Sequence, residues 1–385
     1  MNTVTIAWIS GLFVATSALP ACSANHSSSA GDEYLVGAPE VSALQLGVTD
    51  EASDEGTATA ADAVDASDQV AQGLGEASSA LTLRVAPELA HARQAVNALN
   101  QALRNFTDPI VALVRDSEPS SVAGVRTWGP VTRGATDYRF VMRRGAPHHF
   151  GWLLQARPTG TSANFASVAA GGIRVGFAAR RGVGSVGIDL DRLGALDPTV
   201  TARGALLASF AHGPSGSALA YRFQNFSPDP TQTPGVDAIV QGVHLKAGYN
   251  RLRLAYSGNV AETASDAPEF VLARVRHQRG DGGRADLLVT GGDIADGEVW
   301  VVSECWSPAL ESAFRVVRDC PADGIGGARC KEVTSTGDRS ACPHDLLDPD
   351  LPPADASAAM TDPQSPVGDV TPPDAMPDGQ PPTGT

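Results

Sequence analysis

Lysine is almost absent from this chain: of its 28 basic residues only Lys246 and Lys331 are not arginine. Aromatic residues are also scarce, at 5%, so any core must be filled mainly by aliphatic side chains. Beyond one N-terminal apolar run of 14 residues at 6–19, no stretch approaches the ~18 residues that cross a bilayer as a helix. Basic residues are missing altogether from 23–80 and 343–385, which hold 11 and 8 acids. The formal net charge of −15 therefore sits at the two ends, while residues 81–342 carry +4. The low isoelectric point is thus no property of a folded domain. A core so weakly basic, with no dense basic tract, also argues against nucleic acid as a partner. Neither H-E-x-x-H nor G-x-S-x-G occurs, so zincin and nucleophile-elbow chemistries have no motif to rest on.

The apolar run at 6–19 has the length of a signal-peptide core and ends in Leu19-Pro20-Ala21-Cys22. These four residues resemble the lipobox of bacterial lipoproteins, in which the cysteine receives diacylglycerol and becomes the new N-terminus. The resemblance implies a signal peptide over 1–21, lipidation at Cys22 and attachment to a membrane through the acyl chains, each buried methylene contributing about 0.8 kcal/mol. Ser23 rather than Asp follows the cysteine, which in similar lipoproteins favours passage to the outer membrane. The alternative is ordinary secretory cleavage, for instance after Ala24, which leaves a secreted protein without Cys22.

Five cysteines are an odd number, and setting Cys22 aside leaves Cys305, Cys320, Cys330 and Cys342. Four can pair fully, in three connectivities. They fall in a Gly-rich stretch with little core of its own, where each bridge would remove on the order of 3 kcal/mol of chain entropy from the unfolded state. The competing reading is a four-cysteine zinc site. Its C-x2–4-C knuckles are missing, since 14, 9 and 11 residues separate successive cysteines, so disulfides are expected.

Residues 22–80 are acidic and rich in Ala, Ser, Asp and Thr, and are expected to form a disordered, solvated tether. A Pro/Asp-rich tail, 343–385, is expected to be disordered too. The domain lies at 81–342. It opens with a helical signal: Pro87 and Glu88 suit a first turn, and Leu89, Ala92, Val96, Leu99, Leu103 and Phe106 recur at helical spacing. Thr107 or Asp108 is expected to cap a second short helix containing Pro109, Ile110, Leu113 and Val114. From about residue 122 the period becomes two. Tyr138, Phe140 and Met142 alternate with arginines, and similar runs centre on Val175, Ile188, Tyr221, Leu254, Leu272 and Val301. Turn signals lie between them, among them 145–147, Gly171-Gly172, 213–216, 257–259, 280–283 and 291–293. The expected fold is mainly β. About nine to eleven strands form an antiparallel up-and-down meander curled into a barrel, half-barrel or sandwich, with an N-terminal helical pair, disordered termini and disulfide-stapled C-terminal loops.

Candidate chemistry is sparse. Gly182-Val183-Gly184-Ser185-Val186-Gly187 fits G-x-G-x-x-G, but a dinucleotide site needs a helix to open there. Val186, Ile188 and Leu190 alternate as in a strand, and the stretch reads as a hairpin. Asp189-Leu190-Asp191 with Gly194 is similar to a calcium loop, yet Leu193 and Val200 occupy ligand slots. His148 and His149 are adjacent at an expected turn and would project to opposite sides of a strand. His212 with Ser215 and Ser217 would be a base and nucleophile, although the segment reads more simply as a tight turn. Trp128, Trp152, Trp300 and Trp306 are expected to complete the core rather than line a ligand cavity. No cofactor and no metal site is expected.

Thr127-Trp128-Gly129-Pro130, His149-Phe150-Gly151-Trp152 through Ala156-Arg157-Pro158, Gly187-Ile188-Asp189-Leu190-Asp191 and Val302-Ser303-Glu304-Cys305-Trp306 are similar to stretches of predicted lipoproteins of myxobacterial type. That resemblance, over roughly residues 85–320, implies an exported lipoprotein and assigns no catalytic or ligand-binding residue. The expected function is a non-enzymatic, lipid-anchored cell-envelope protein whose sheet domain binds a protein partner or contributes to the surface. Two other readings are a carrier of lipid or another hydrophobic ligand and a hydrolase with a dispersed site.

Overall fold

In the computed structural model the described residues are 34, 44, 86–146, 148–175, 182–227, 235–246, 248–258, 267–325 and 328–342. The tail at 343–385, the signal segment and Cys22 lie outside them. The described residues fall into two units, one holding 86–98 and 242–342, the other Tyr34, Leu44 and 99–241.

One helix, α1, spans Pro87–Asp116, in place of the expected helical pair. The reason is the register of its apolar stripe. Leu89, Ala92, Val96, Leu99 and Leu103 are buried, and Ile110, Leu113 and Val114 continue the same face. Thr107 does not cap a second helix: its hydroxyl, buried, donates to the Leu103 carbonyl at 2.7 Å. Pro109 removes one backbone donor, a cost of about 3 kcal/mol in a helix interior, which burial of three further apolar side chains at about 1.5–3 kcal/mol each offsets. Among the described residues no helix is long and apolar enough to cross a membrane.

Fifteen strands follow. In the unit of residues 99–241 lie β1 Ser120–Val122, β2 Val125–Arg133, β3 Thr136–Arg144, β4 His149–Pro158, β5 Ala166–Val175, β6 Gly182–Asp189, β7 Arg203–His212, β8 Gly216–Ser227 and most of β9, Val236–Leu245. A short helix, α2, spans Leu190–Leu196 between β6 and β7. The unit of residues 242–342 carries β10 Tyr249–Gly258, β11 Glu269–Gln278, β12 Gly282–Thr290, β13 Glu298–Trp306, β14 Ser312–Pro321 and β15 Lys331–Gly337. Hydrogen-bonded order is chain order, and the pairs are antiparallel. The fold is therefore the expected mainly β, up-and-down meander. Its order begins at β1 and ends at β15, and among the described residues these two strands are not paired with each other.

More strands form than alternation marks. β12 is buried at eight of its nine positions and β15 is exposed at all seven, so neither shows a period of two. Gly171-Gly172, expected as a turn, lies inside β5. Both the strand and its glycines have a packing reason. Gly171 pairs directly with Trp152 of β4, and a Cβ at Gly171 would collide with the indole ring. Likewise Gly184 of β6 lies under Phe210 of β7, and Gly283 of β12 under Trp306 of β13. A glycine directly across the ladder lets a large ring lie on the backbone.

The core of the 99–241 unit is built around such rings. Phe140 stands 5.8 Å from Trp128 and 5.6 Å from Trp152, all three buried. Two residues from the expected tether join this unit. Tyr34 donates its hydroxyl to the Gly124 carbonyl at 3.0 Å and meets Phe150 edge-on at 5.8 Å, with the Arg126 guanidinium 4.3 Å from its ring. Leu44 is buried, and its carbonyl accepts a hydrogen bond from the Tyr221 hydroxyl. A solvated tether over all of 22–80 is thus corrected at these two positions, where apolar burial outweighs the entropy of a free chain; the rest of the segment lies outside the described residues.

Substituting Gly171→Ala places a methyl group in the Trp152 ring and is expected to destabilise by about 1–3 kcal/mol. Gly151→Ala, whose Cβ meets nothing closer than 4.0 Å, is expected to be neutral or to stabilise by up to about 1 kcal/mol. Paired chemical denaturation curves check this; equal losses would show that the ring contact is not what the glycine serves.

Candidate functional site

The residues singled out for chemistry mostly disperse. Gly182–Gly187 lies on strand β6, which pairs antiparallel with β5 as the hairpin reading expects, and its glycines accommodate neighbours on β7: Phe210 above Gly184, Leu207 at 3.2 Å from a Cβ at Gly187. α2 does open soon after, but its N-terminus is occupied by the chain itself. Asp189 caps it by accepting from the Arg192 N–H at 2.8 Å. Asp191 accepts instead from the Gly204 N–H at 2.9 Å, so the two aspartates of the calcium-like stretch serve separate backbone donors. Leu190, expected in the strand, begins the helix.

His148 sits at the turn before β4 with φ 65°, and His149 is the exposed first residue of that strand. The segment after β7 is the expected tight turn, closed by Gly213 N–H to the Gly216 carbonyl at 2.8 Å. Register opposes His212 to Ser217 across β7 and β8, while Ser215 stands exposed at the tip. Trp128, Trp152 and Trp306 are buried core residues and Trp300 is half-buried.

The four downstream cysteines pair completely, Cys305 with Cys342 and Cys320 with Cys330, with Cα separations of 5.7 and 4.1 Å. They form two pairs rather than one tetrahedral cluster. Cys305 and Cys342 sit in an apolar cluster with Phe314, Val316 and Ala313. This bridge ties residue 342 to the buried strand β13, and the second closes the loop between β14 and β15.

The cluster that does converge was only half legible. Glu88 was read as a helix-terminus acid; its partners are Glu304 of β13 and Arg315 of β14, which oppose each other in the ladder. Glu304 accepts the Glu88 backbone N–H at 2.8 Å through one carboxylate oxygen and the Ser312 hydroxyl at 2.8 Å through the other. Arg315 donates to Glu88 Oε1 from Nη2 at 3.0 Å and from Nε at 3.3 Å. The N-terminus of α1 is thereby fastened to the sheet, with the Ala86 N–H also donating to the Leu310 carbonyl at 3.0 Å. Glu304 is 0% and Glu88 2% exposed. Burial raises the Glu304 carboxyl to about 7, with the neighbouring Glu88 charge adding to the rise and the Ser312, Glu88 N–H and Arg315 contacts opposing it. Burial and the Glu88 charge also raise the Tyr256 hydroxyl.

A carboxyl tuned to neutral pH beside a second carboxylate has the proton affinity of a general acid or base. Proton transfer to a substrate, however, needs hydrogen-bond reach of the reacting atom. Both oxygens of Glu304 are committed to protein donors and no part of the residue meets solvent. The cluster therefore acts as an interior strut. A second buried network, on the opposite face of β13 and reaching β12, is similar: Asp286 Oδ1 accepts from Arg284 at 2.6 Å and from Ser303 at 2.8 Å, all three nearly inaccessible. The sequence signal for both was an acid inside an apolar strand, Glu304 in VVSEC and Asp286 in RADLLV, since a buried charge requires a partner.

No family model matches the chain, and comparison with curated proteins and with solved structures found no match.

The raised Glu304 carboxyl makes stability depend on pH with a defined sign. The folded state holds this proton from its ordinary value of 4.5 up to about 7, so the folded chain binds more protons than the unfolded one in that window. Its stabilising contribution is full below pH ~4.5 and is lost as pH rises through ~7, by up to about 3 kcal/mol. Glu304→Gln removes the titration, keeps one acceptor oxygen for the Glu88 N–H and turns an NH2 donor toward the Ser312 hydroxyl, which can accept it. The difference in unfolding free energy between wild type and Glu304→Gln is expected to change across pH 4.5–7 by that amount; a difference that stays flat would contradict the burial of the carboxyl.

Proposed function

We propose that the protein is an exported, lipid-anchored cell-envelope protein whose sheet domain is a non-enzymatic binding or structural module. One observation carries this reading. Cys305, Cys320, Cys330 and Cys342 are joined in two pairs, an arrangement that persists in oxidising compartments, and the pairing leaves Cys22 as the odd cysteine behind an apolar run of signal-peptide length. The resemblance of the strand motifs to predicted lipoproteins of myxobacterial type points to the same compartment. The sealed position of Glu304 and Glu88 supports a structural over an enzymatic use of the most perturbed carboxyl.

In this reading the anchor is near. Tyr34 is packed on the domain, so the twelve residue steps between it and Cys22 can span at most about 40 Å. The domain is held beside the membrane rather than at the end of a long acidic leash.

Intact-mass analysis of the protein recovered from the membrane fraction tests the proposal. The expected result is a mature chain that begins at Cys22 and carries diacylglyceryl and a further acyl group. An unmodified N-terminus after Ala24, with protein in the soluble fraction, would refute lipid anchoring and leave secretion.

A further inference from the structure

The face of β3 and β4 opposite Phe140 and Leu154 carries an unusual grouping. Side chains alternate along each strand, so Asp137, Arg139, Gln155 and Arg157 share this face. Phe165, just before β5, lies among them, with the Arg139 guanidinium 4.2 Å and the Arg157 guanidinium 4.4 Å from its ring centre. Two cations thus hold one aromatic ring. Like charges brought this close oppose each other: burial, and after it the Arg157 charge, lower the affinity of Arg139 for its proton.

Both arginines are anchored in the same way. Arg139 donates from Nε to Gln155 Oε1 at 2.7 Å, and Gln155 is itself oriented by donating to the Ser167 hydroxyl at 3.3 Å. Arg157 donates from Nε to Asp137 Oδ2 at 3.2 Å. The Asp137 carboxylate is held in place by hydroxyls of Thr132 at 2.8 Å and Thr159 at 2.9 Å, which, ahead of Arg157, lower its proton affinity and keep it charged. In each arginine the protein engages Nε and leaves the terminal Nη pair to other acceptors. Asp137 balances one of the two charges; Arg192, with its Nη1 on the Ser167 carbonyl at 3.2 Å and its Nε 3.7 Å from Asp189, adds a third guanidinium at the margin. The group is half-buried, positive by about one charge and fixed before any ligand arrives.

We propose that Arg139 and Arg157, set on Phe165, form a binding site for a tetrahedral oxyanion, a phosphate or sulfate group. Two guanidinium forks offer such a group paired donors, which a lysine pair does not, and Phe165 with Gln155 and Asp137 fixes the forks so that little side-chain entropy remains to be lost on binding. The anion would relieve the repulsion that Arg139 and Arg157 now exert on one another. The site rests on residues separate from Cys22 and the disulfides, so it stands or falls independently of the lipid-anchor reading.

Calorimetric titration of the full mature protein with inorganic phosphate, inorganic sulfate and glycerol 3-phosphate at low ionic strength tests this. Saturable one-site binding that weakens with added salt is expected, reduced at least about tenfold by Arg139→Gln and by Arg157→Gln, and unchanged by Arg318→Gln on β14. Tighter binding of glycerol 3-phosphate than of inorganic phosphate would identify an ester-linked headgroup as the source of the anion; equal binding would identify the free ion. Should Arg139→Gln unfold, Arg139→Lys, which keeps the charge and loses the fork, is expected to show the same weakening with the melting temperature retained. Absence of saturable binding for all three anions, or binding that neither Arg139 nor Arg157 substitution alters, would overturn the proposal.

Discussion

A large ring can lie flat on a neighbouring strand only where that strand carries no side chain. The rest of this fold depends on that constraint. With aromatics at 5% of the chain and 40 glycines, each bulky ring has to be used fully, and Trp152, Phe210 and Trp306 each lie over a glycine of an adjacent strand, Gly171, Gly184 and Gly283. Ring and glycine are neighbours in the ladder, so the contact also fixes register: a slip of one residue would replace Gly171 by Ala170 or Gly172 and turn the pairing face over. In a meander where every strand pairs with its sequence neighbours, such local contacts suffice to set the order without long-range crossovers.

Where rings are few, charge takes over some of the interior. Glu88, Glu304 and Arg315 join the start of α1 to β13 and β14, and Asp286 and Arg284 of β12 meet Ser303 on the other face of β13. Such networks need not add net stability over an apolar core, because desolvation offsets most of the attraction. They are directional, however, and Glu304 can meet both the Glu88 N–H and the Ser312 hydroxyl only with α1 in one position. The charges specify where the helix starts; the apolar stripe then holds it.

Much of this was legible in the sequence, and the misses have identifiable causes. The amphipathic face from Leu89 to Val114 and the alternation of β3, β8 and β10 follow from periodicity, and the turns at 213–216 and 291–293 from their Gly, Pro, Ser and Asp residues. β12 and β15 did not show, because a strand buried on both faces and one exposed on both faces lack alternation. Gly171-Gly172 was misread because turn and ring-bearing strand use the same residue for different reasons, conformational freedom in one and space in the other. The break expected at Thr107 failed because Thr107 turned its hydroxyl back to Leu103 rather than forward as a cap. The disulfide pairing was open among three connectivities, since spacing does not encode which strands meet. Glu304 was visible as an acid in an apolar strand, but its partner Glu88 lies 216 residues away, beyond any local pattern. Arg139, Arg157 and Phe165 carried no signal apart from the alternation that put arginines on one face.

The two bridges tie the fold to an oxidising environment. Cys305 is buried in the strand that also carries Glu304 and Trp306, so its pairing with Cys342 and the closing of Cys320 on Cys330 depend on both a folded β13–β14 pair and an oxidising environment. Disulfide mapping by mass spectrometry, on protein trapped with a thiol-blocking reagent directly from intact cells, reads both at once. Cys305–Cys342 and Cys320–Cys330 peptides, with no blocked thiol at these four positions, are the predicted result. Alkylated free cysteines at these sites, or a different connectivity, would contradict the stapled sheet domain and the proposal that it is exported.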